Sequence, residues 1–370
     1  MDNKQSVFFE LLKAGLWEKE VRLMPFGEID FSSVQHIAEE QSVLGLLVSG
    51  IEHVSDKCFS KQDVLPLIGS ALQLEKRNLA MNKFIGDLFE SLSDAGIFAL
   101  LVKGQGVAQC YQRPLLRACG DVDLFLDNEN YEKAKTFLIP KAESTEVEFL
   151  QFKHLGMSIN GWVVELHGTL RPRLTKRIDR IVDELQETTF INRDVREWNN
   201  EGTIVCIPGV NNDLIFLFTH ILKHFYQGGI GLRQICDWCR FLWTFNDIIN
   251  QEQLELRLRS MKVLKEWKAF ASYAVDFLGM PIEKMPLYSC EKKWSKKAKK
   301  INAFIMRVGN FGQKRLTNHD RKNSVLVQKV MSFWQRTIDS FNHFFIFPHN
   351  ALSIWLHMVN TGLSIAVKGH

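Results

Sequence analysis

Ile97-Phe98-Ala99-Leu100-Leu101-Val102-Lys103-Gly104 and Gly120-Asp121-Val122-Asp123-Leu124-Phe125-Leu126 are the stretches whose reading decides the fold. The first is an apolar run of strand length that stops at Lys103-Gly104, where a helix over Gln105 to Tyr111 is predicted. The second begins by alternating acid and apolar residues, the pattern of a half-buried strand. Side chains two apart on a strand share a face, so Asp121 and Asp123 stand side by side. Two adjacent carboxylates raise each other's pKa, and a fold tolerates the pair when a cation sits between them. Hard oxygen ligands of this kind select Mg²⁺ or Mn²⁺. A strand that breaks at glycine into a helix N-terminus presents backbone N–H groups to a phosphate. Together these are the parts of a phosphoryl- or nucleotidyl-transfer site. A D-x-D pair by itself reads equally as a solvated strand edge, so its setting carries the argument.

That setting extends downstream. A helix is expected over Asn130 to Leu138, capped by Asn128 or Asn130, and strands over Glu146–Lys153, Gly156–Ile159 and Trp162–His167. Residues 96–170 therefore read as βαβα followed by strands. Within Trp162-Val-Val-Glu-Leu-His167, Glu165 lies inside an apolar strand, where an unpaired carboxylate is costly. It is either an outward residue on an edge strand or the third acid of a carboxylate cluster with Asp121 and Asp123. His167 shares its face and either orients the acid, binds substrate or packs in the core.

The flanks are helical. Residues 5–55 carry Phe8, Leu11, Leu12 and Leu16 at helical spacing, and Asp30 starts a further helix. Leu65, Ile68, Leu72 and Leu79 mark a helix within 62–95 that is expected to pack, with a weak point at Glu75-Lys76-Arg77-Asn78. Residues 171–200 read as helix, 203–207 as a short strand, and 212–226, 231–246 and 252–279 as helices. The chain is thus α+β: a small mixed sheet between helical segments. The expected organisation is 1–95 helical, 96–210 the α/β core, 211–290 helical, and 291–370 basic then aromatic.

Composition removes several classes. With 46% hydrophobic and 24% charged residues in 370, global disorder is excluded. A net charge of +4 is too small for a strongly basic nucleic-acid coat. Seven Cys without framework spacing fit reduced thiols in the cytoplasm. The N-terminus lacks the apolar core and cleavage site of a leader, and no uninterrupted apolar run is long enough to span a membrane.

Leu101-Val-Lys-Gly104, Tyr111, Pro114, Arg117, Gly120–Leu126, Tyr131, Ala134 and Leu138, followed by Val163-Val-Glu-Leu-His167, resemble the bacterial uncharacterised nucleotidyltransferase family of the DNA polymerase β superfamily. The resemblance reaches Phe216–Trp238 and covers roughly 95–245. It implies a small mixed sheet and transfer of NMP from an NTP to a hydroxyl with two divalent ions. The acceptor class stays open among a protein side chain, a small metabolite, a sugar and an RNA end. By position, Asp121 and Asp123 would ligand both metals. Glu165 would ligand the catalytic metal and help deprotonate the acceptor. Lys103, Gly104 and Gln105 would take the phosphate-binding turn, which in this family is Lys-Gly where the superfamily has Gly-Ser. Lys103 either places a point charge on a phosphate or caps a strand end. Arg117 reads as a triphosphate contact, a salt bridge holding the D-x-D loop, or a surface Arg.

Other residues are less specific. His220 and His224 share a helix face, but the spacing lacks the acid of a zinc hydrolase. With Arg233 and Asp237 they are candidates for a substrate cleft. Cys236 and Cys239 read as buried helix thiols. The run 291–322 holds eleven Lys/Arg against two Asp/Glu. It reads as a solvated helix face before a nucleic-acid track, with Trp294 its early stacking candidate. The tail residues Trp334, Phe341, Phe344, Phe345, Phe347 and Trp355 read as packing, with dimerisation or peripheral membrane contact as alternatives. The function reading is a Mg²⁺- or Mn²⁺-dependent nucleotidyltransferase. The alternative is a catalytically inactive nucleotide-binding or protein-interaction module.

Overall fold

Side chains that alternate between two faces along neighbouring strands build the sheet. The computed structural model describes residues 2–56, 59–310 and 337–368. Cys58, residues 311–322 of the basic run and Trp334 lie outside them. The described chain forms two units that interleave in sequence. One comprises Met1–Leu170, Val182–Leu217 and Cys236–Ile249; the other comprises Arg171–Ile181, Phe218–Ile235 and Asn250–His370.

In the first unit, α1 (Asn3–Trp17), α2 (Phe31–Glu40) and α3 (Leu44–Glu52) precede α4 (Lys61–Asp94). The Asp2 and Asp30 side chains cap α1 and α2, accepting from Gln5 N and Ser33 N. A capping box between Ser60 and Asp63 opens α4. Next come β1 (Leu100–Val102), α5 (Gly104–Ala108), β2 (Asp121–Phe125), α6 (Asn128–Leu138), β3 (Ser144–Thr145), β4 (His154–Ile159) and β5 (Trp162–His167). The order in the mixed sheet is β1-β2-β5-β4-β3, with β2 and β5 parallel and the other pairs antiparallel. α7 (Lys176–Ile191) leads to β6 (Val195–Asn200) and β7 (Thr203–Pro208), a separate two-stranded ladder. α8 (Val210–Gln227) and α9 (Leu232–Phe245) follow.

One sheet face is wholly apolar. Leu101, Val122, Leu124, Leu155, Met157, Val164 and Leu166 bury against Met81, Phe84, Ile85 and Leu92 of α4 and Tyr131, Ala134 and Leu138 of α6. Each such side chain contributes roughly 1.5–3 kcal/mol. A one-residue slip of β2 would turn both aspartates into the apolar core and Val122 and Leu124 out of it, so the core fixes the register.

Several expectations are corrected. Residues 146–153 are not a continuous strand: the ladder proper ends at Thr145, Phe149 makes only an isolated bridge to His154, and Leu150–Phe152 form a 3₁₀ turn. Residues 171–200 are only partly helical, because α7 ends at Ile191 and Val195–Asn200 pair with β7. The 252–279 helix is two helices, α10 (Gln251–Ser260) and α11 (Leu264–Leu278). The cap of α6 is Asp127, which accepts from Asn130 N at 2.8 Å. The Asn130 side chain instead accepts from Phe98 N.

Helix α4 runs unbroken through 75–78, and its supposed weak point is a tie. Asn78 is fully buried and donates to Leu115 O and Arg117 O at 2.7 and 2.8 Å. Glu75 pairs with Arg113, which also holds Glu52. Leu65, Ile68, Leu72 and Leu79, expected to pack, are exposed, and the buried face is Val64, Leu67, Ala71, Asn78 and Met81.

The second unit is helical. Phe225 of α8 packs edge-on to Phe270 of α11 and Phe304 of α12 (Lys292–Val308). Glu266 is buried and accepts from Tyr226 Oη at 2.9 Å and Asn350 Nδ2 at 2.6 Å. Lys292, Lys293, Lys296, Lys299 and Lys300 line the exposed face of α12. Trp294 is buried there, so it offers no ring for stacking. Of the tail aromatics, Phe341, Phe344 and Phe345 are exposed and Phe347 is buried. The helix Pro348–Lys368 closes the described chain. Among the described residues no helix is long and apolar enough to cross a membrane.

Candidate active site

The second face of the same sheet carries the chemistry. Register pairs Asp121 with Val163, Asp123 with Glu165, and Phe125 with His167 across parallel strands. The three acids therefore share one face, opposite the apolar core. Across β4, His154 stands opposite His167 and Gly156 opposite Glu165. Beyond the acids this face closes: Phe125 packs on Phe190 of α7 and Phe216 of α8 at 4.9 and 5.8 Å between ring centroids.

The Lys103–Gly104 turn meets the face at Asp123, because Val102 is its register partner. Lys103 has φ 57° and ψ −139°, and Gly104 has φ 38°. A side-chain-bearing residue in that region costs of order 1–3 kcal/mol and persists only where surrounding contacts hold it. Here the holding contact is Lys103 Nζ to Asp123 Oδ1 at 3.0 Å. Gly104 is required for a second reason: a Cβ there would lie 3.2 Å from Cys119 Sγ and 3.7 Å from Asp121 O.

Asp123 is almost fully buried and touches two cationic or donor groups. Its Oδ1 lies 2.6 Å from His167 Nε2 as well as 3.0 Å from Lys103 Nζ. Burial raises its pKa, but the Lys103 ammonium and the His167 hydrogen bond outweigh burial and bring the carboxyl down from 3.8 to about 2. Glu165 Oε2 lies 3.1 Å from His154 Nε2 and 3.3 Å from His167 Nε2. Bonds to these two imidazoles hold the carboxyl well below its usual range. Burial lowers the pKa of Lys103, yet Asp123, Glu165 and Asp121 together raise it. Asp123 and Glu165 are thus held ionised beside the Lys103 ammonium.

Of the residues expected to act, Lys103, Asp121, Asp123, Glu165 and His167 come together here. Gln105 is buried behind the turn, with Nε2 3.8 Å from Met81 Sδ. Arg117 forms the salt bridge of the loop before β2: Nε and Nη2 reach the two oxygens of Asp237 at 3.1 and 2.6 Å, both side chains being buried. Tyr111 Oη donates to the same carboxylate at 2.8 Å. Asp237 is therefore an anchor for the loop. His220 and His224 lie in the second unit, with their Nε2 atoms 3.0 Å apart, and Arg233 lies in that unit on α9. Cys236 and Cys239 are buried, and burial raises both thiols.

Sequence reading missed His154. Its signal was the Asn160-Gly161 dipeptide, whose residues both have positive φ, 51° and 75°. A two-residue turn of that type fixes the hairpin register, and that register puts His154 opposite His167.

The carboxylates of Asp121, Asp123 and Glu165 on one face offer a divalent cation anionic oxygen ligands beside the Lys103 ammonium. The nearest donors are not all oxygen, however. His154, Glu165 and His167 place one ligand atom each within 4.8 Å of one another.

A small mixed sheet with two acids on one strand, a third on its parallel neighbour and a strained Lys-Gly turn beside them defines an α+β nucleotidyltransferase core. The model of the uncharacterised nucleotidyltransferase family matches residues 27–279, and the chain belongs to that family. The activity the family's description gives is nucleotidyl transfer. Searches of curated proteins and of solved structures returned no match.

Proposed function

We propose that this chain moves an NMP group from an NTP to a hydroxyl acceptor. The observation that carries this reading is the pairing of Asp123 with Glu165 on parallel strands, with Asp121 on the same face. Glu165 accepts the proton of the attacking hydroxyl once it gives up its bonds to His154 and His167, which otherwise weaken it as a base. The hydroxyl oxygen bonds to the α-phosphorus, the bond from that phosphorus to the bridging oxygen breaks, and pyrophosphate leaves. Lys103 offers its ammonium to a triphosphate oxygen, and the Gly104 turn lets the backbone approach the phosphates closely. Asp237 holds Arg117 and with it the loop that leads into β2. Mg²⁺ or Mn²⁺ held by Asp121, Asp123 and Glu165 would supply neutralisation of the triphosphate charge.

The test is incubation of the protein with each α-labelled NTP and Mg²⁺, alone and with cell extract, followed by mass spectrometry. A mass increase of one NMP on the protein or an extract component is expected, absent in Asp121→Asn. Lack of any NMP adduct with all four NTPs would overturn the reading.

One observation favours a second reading, a nucleotide-binding or protein-interaction module without transfer. Lys103 already neutralises Asp123, so the site has a resident cation of its own. Metal-dependent NTP binding without product would support that reading.

A further inference from the structure

The carboxylate face holds a donor set that an all-oxygen Mg²⁺ site does not need. We propose that His154, Glu165 and His167 form a site for a borderline first-row metal ion, with Zn²⁺ its best fit. The inference shares Glu165 with the transfer reading but does not rest on it.

The scaffold is rigid. His154 and His167 are cross-strand partners on β4 and β5, and Glu165 is two residues before His167, so all three lie on one face. The distances match a coordination sphere. Metal–nitrogen and metal–oxygen bonds to zinc are about 2.0–2.2 Å, so two ligands at tetrahedral or right angles lie roughly 2.9–3.5 Å apart. Glu165 Oε2 is 3.1 Å from His154 Nε2 and 3.3 Å from His167 Nε2. All three ligand atoms are within 4.8 Å of one another.

Donor type then selects the ion. Mg²⁺ takes oxygen ligands and gives up water reluctantly, whereas imidazole suits Zn²⁺, Co²⁺, Ni²⁺ and Cu²⁺. Two imidazoles and one carboxylate are the protein ligands of an open zinc site, which keeps a position for water or substrate. Exposure agrees with an open site: the side chains of His154, Glu165 and His167 are 25%, 29% and 12% accessible. Asp123 Oδ1, 2.6 Å from His167 Nε2, adds charge beside the set.

The test uses the full chain stripped of metal and titrated with Co²⁺ in excess Mg²⁺, without nucleotide. The visible d–d absorption of cobalt reports its ligands, and calorimetry gives the stoichiometry. One Co²⁺ per chain is expected, undisturbed by Mg²⁺ and displaced by Zn²⁺. His154→Ala should weaken binding by at least about 100-fold. Should that variant fail to fold, pulsed EPR of Cu²⁺-loaded wild type takes its place and should show coupling to two imidazole nitrogens. Failure of wild type to bind Co²⁺, its displacement by Mg²⁺, unchanged affinity in His154→Ala, or a spectrum without nitrogen coupling would each overturn the proposal. Because nucleotide is absent, a chain that binds Co²⁺ but yields no NMP adduct refutes transfer alone, and the converse refutes this site alone.

Discussion

Replacing Lys103 by Met tests whether its ammonium balances the carboxylate face. The change keeps side-chain length and leaves the strained φ of 57° in place, so it removes charge with little else. Asp123 is 4% exposed, and its carboxyl lies at about 2 although burial alone would raise it. Removing one partner of a buried ion pair costs about 3–5 kcal/mol. Here His167 stays within 2.6 Å and the Lys103 side chain is 23% accessible, so the low end applies, about 3 kcal/mol. For a unit of this size, 1 kcal/mol shifts Tm by about 2–4 °C, which predicts a fall of about 6–12 °C. Asp123→Asn in the Lys103→Met background removes the orphaned charge and should restore about 2 kcal/mol, so the two changes are strongly non-additive. Urea denaturation of the four proteins in metal-free buffer at neutral pH gives the coupling energy. Additive losses, or Lys103→Met within 1 °C of wild type, would refute the argument that this ammonium holds Asp123 ionised.

Other expectations follow from the same geometry. Asp123 has a folded-state pKa below its ordinary 3.8, so its contribution is present above about pH 4 and is lost as pH falls from about 4 to about 2. That contribution is about 2 kcal/mol, and urea midpoints along a pH series should show a shallower acid limb in Asp123→Asn. Asn78→Leu leaves the carbonyls of Leu115 and Arg117 without their donor and should cost about 1–3 kcal/mol in chemical denaturation. Asp237→Asn strands the buried Arg117 guanidinium and should cost about 3–5 kcal/mol, read as Tm. Glu266 is raised by burial, which its bonds from Asn350 and Tyr226 only partly offset. Stability should therefore rise as pH falls through its folded pKa, and Glu266→Gln should abolish that rise in urea midpoints.

The acid pair was legible because a strand has a period of two and its apolar partners, Val122 and Leu124, can only face the core. Glu165 was legible for the same reason, Val164 and Leu166 flanking it in the core. Periodicity shows that a helix has a face, but it does not say which face is covered. On α4 the regular apolar row Leu65, Ile68, Leu72 and Leu79 points to solvent. The covered row includes Asn78, whose amide answers two carbonyls of a loop far along the chain. Such a tie has no local signature. Nor does the pairing of Arg117 with Asp237, whose partners come from distant elements.

His154 is a different case, because its place follows from local chemistry read one step further. Ile159-Asn160-Gly161-Trp162 is a tight hairpin, and counting outward from it brings His154 opposite His167. Once both imidazoles are on the face, the three acids no longer form an isolated oxygen cluster. Asp123 is held by Lys103 and His167, and Glu165 by His154 and His167. Asp123 and Glu165 thus each have neighbouring donors, and this explains why the two can stay ionised on one sheet face without forcing the strands apart. A cation arriving there must compete with Lys103 for Asp123 and with imidazole protons for Glu165. That competition makes the two carboxylates inequivalent: Asp123 is reached by exchanging one charge for another, and Glu165 by displacing protons from histidines that can themselves become ligands.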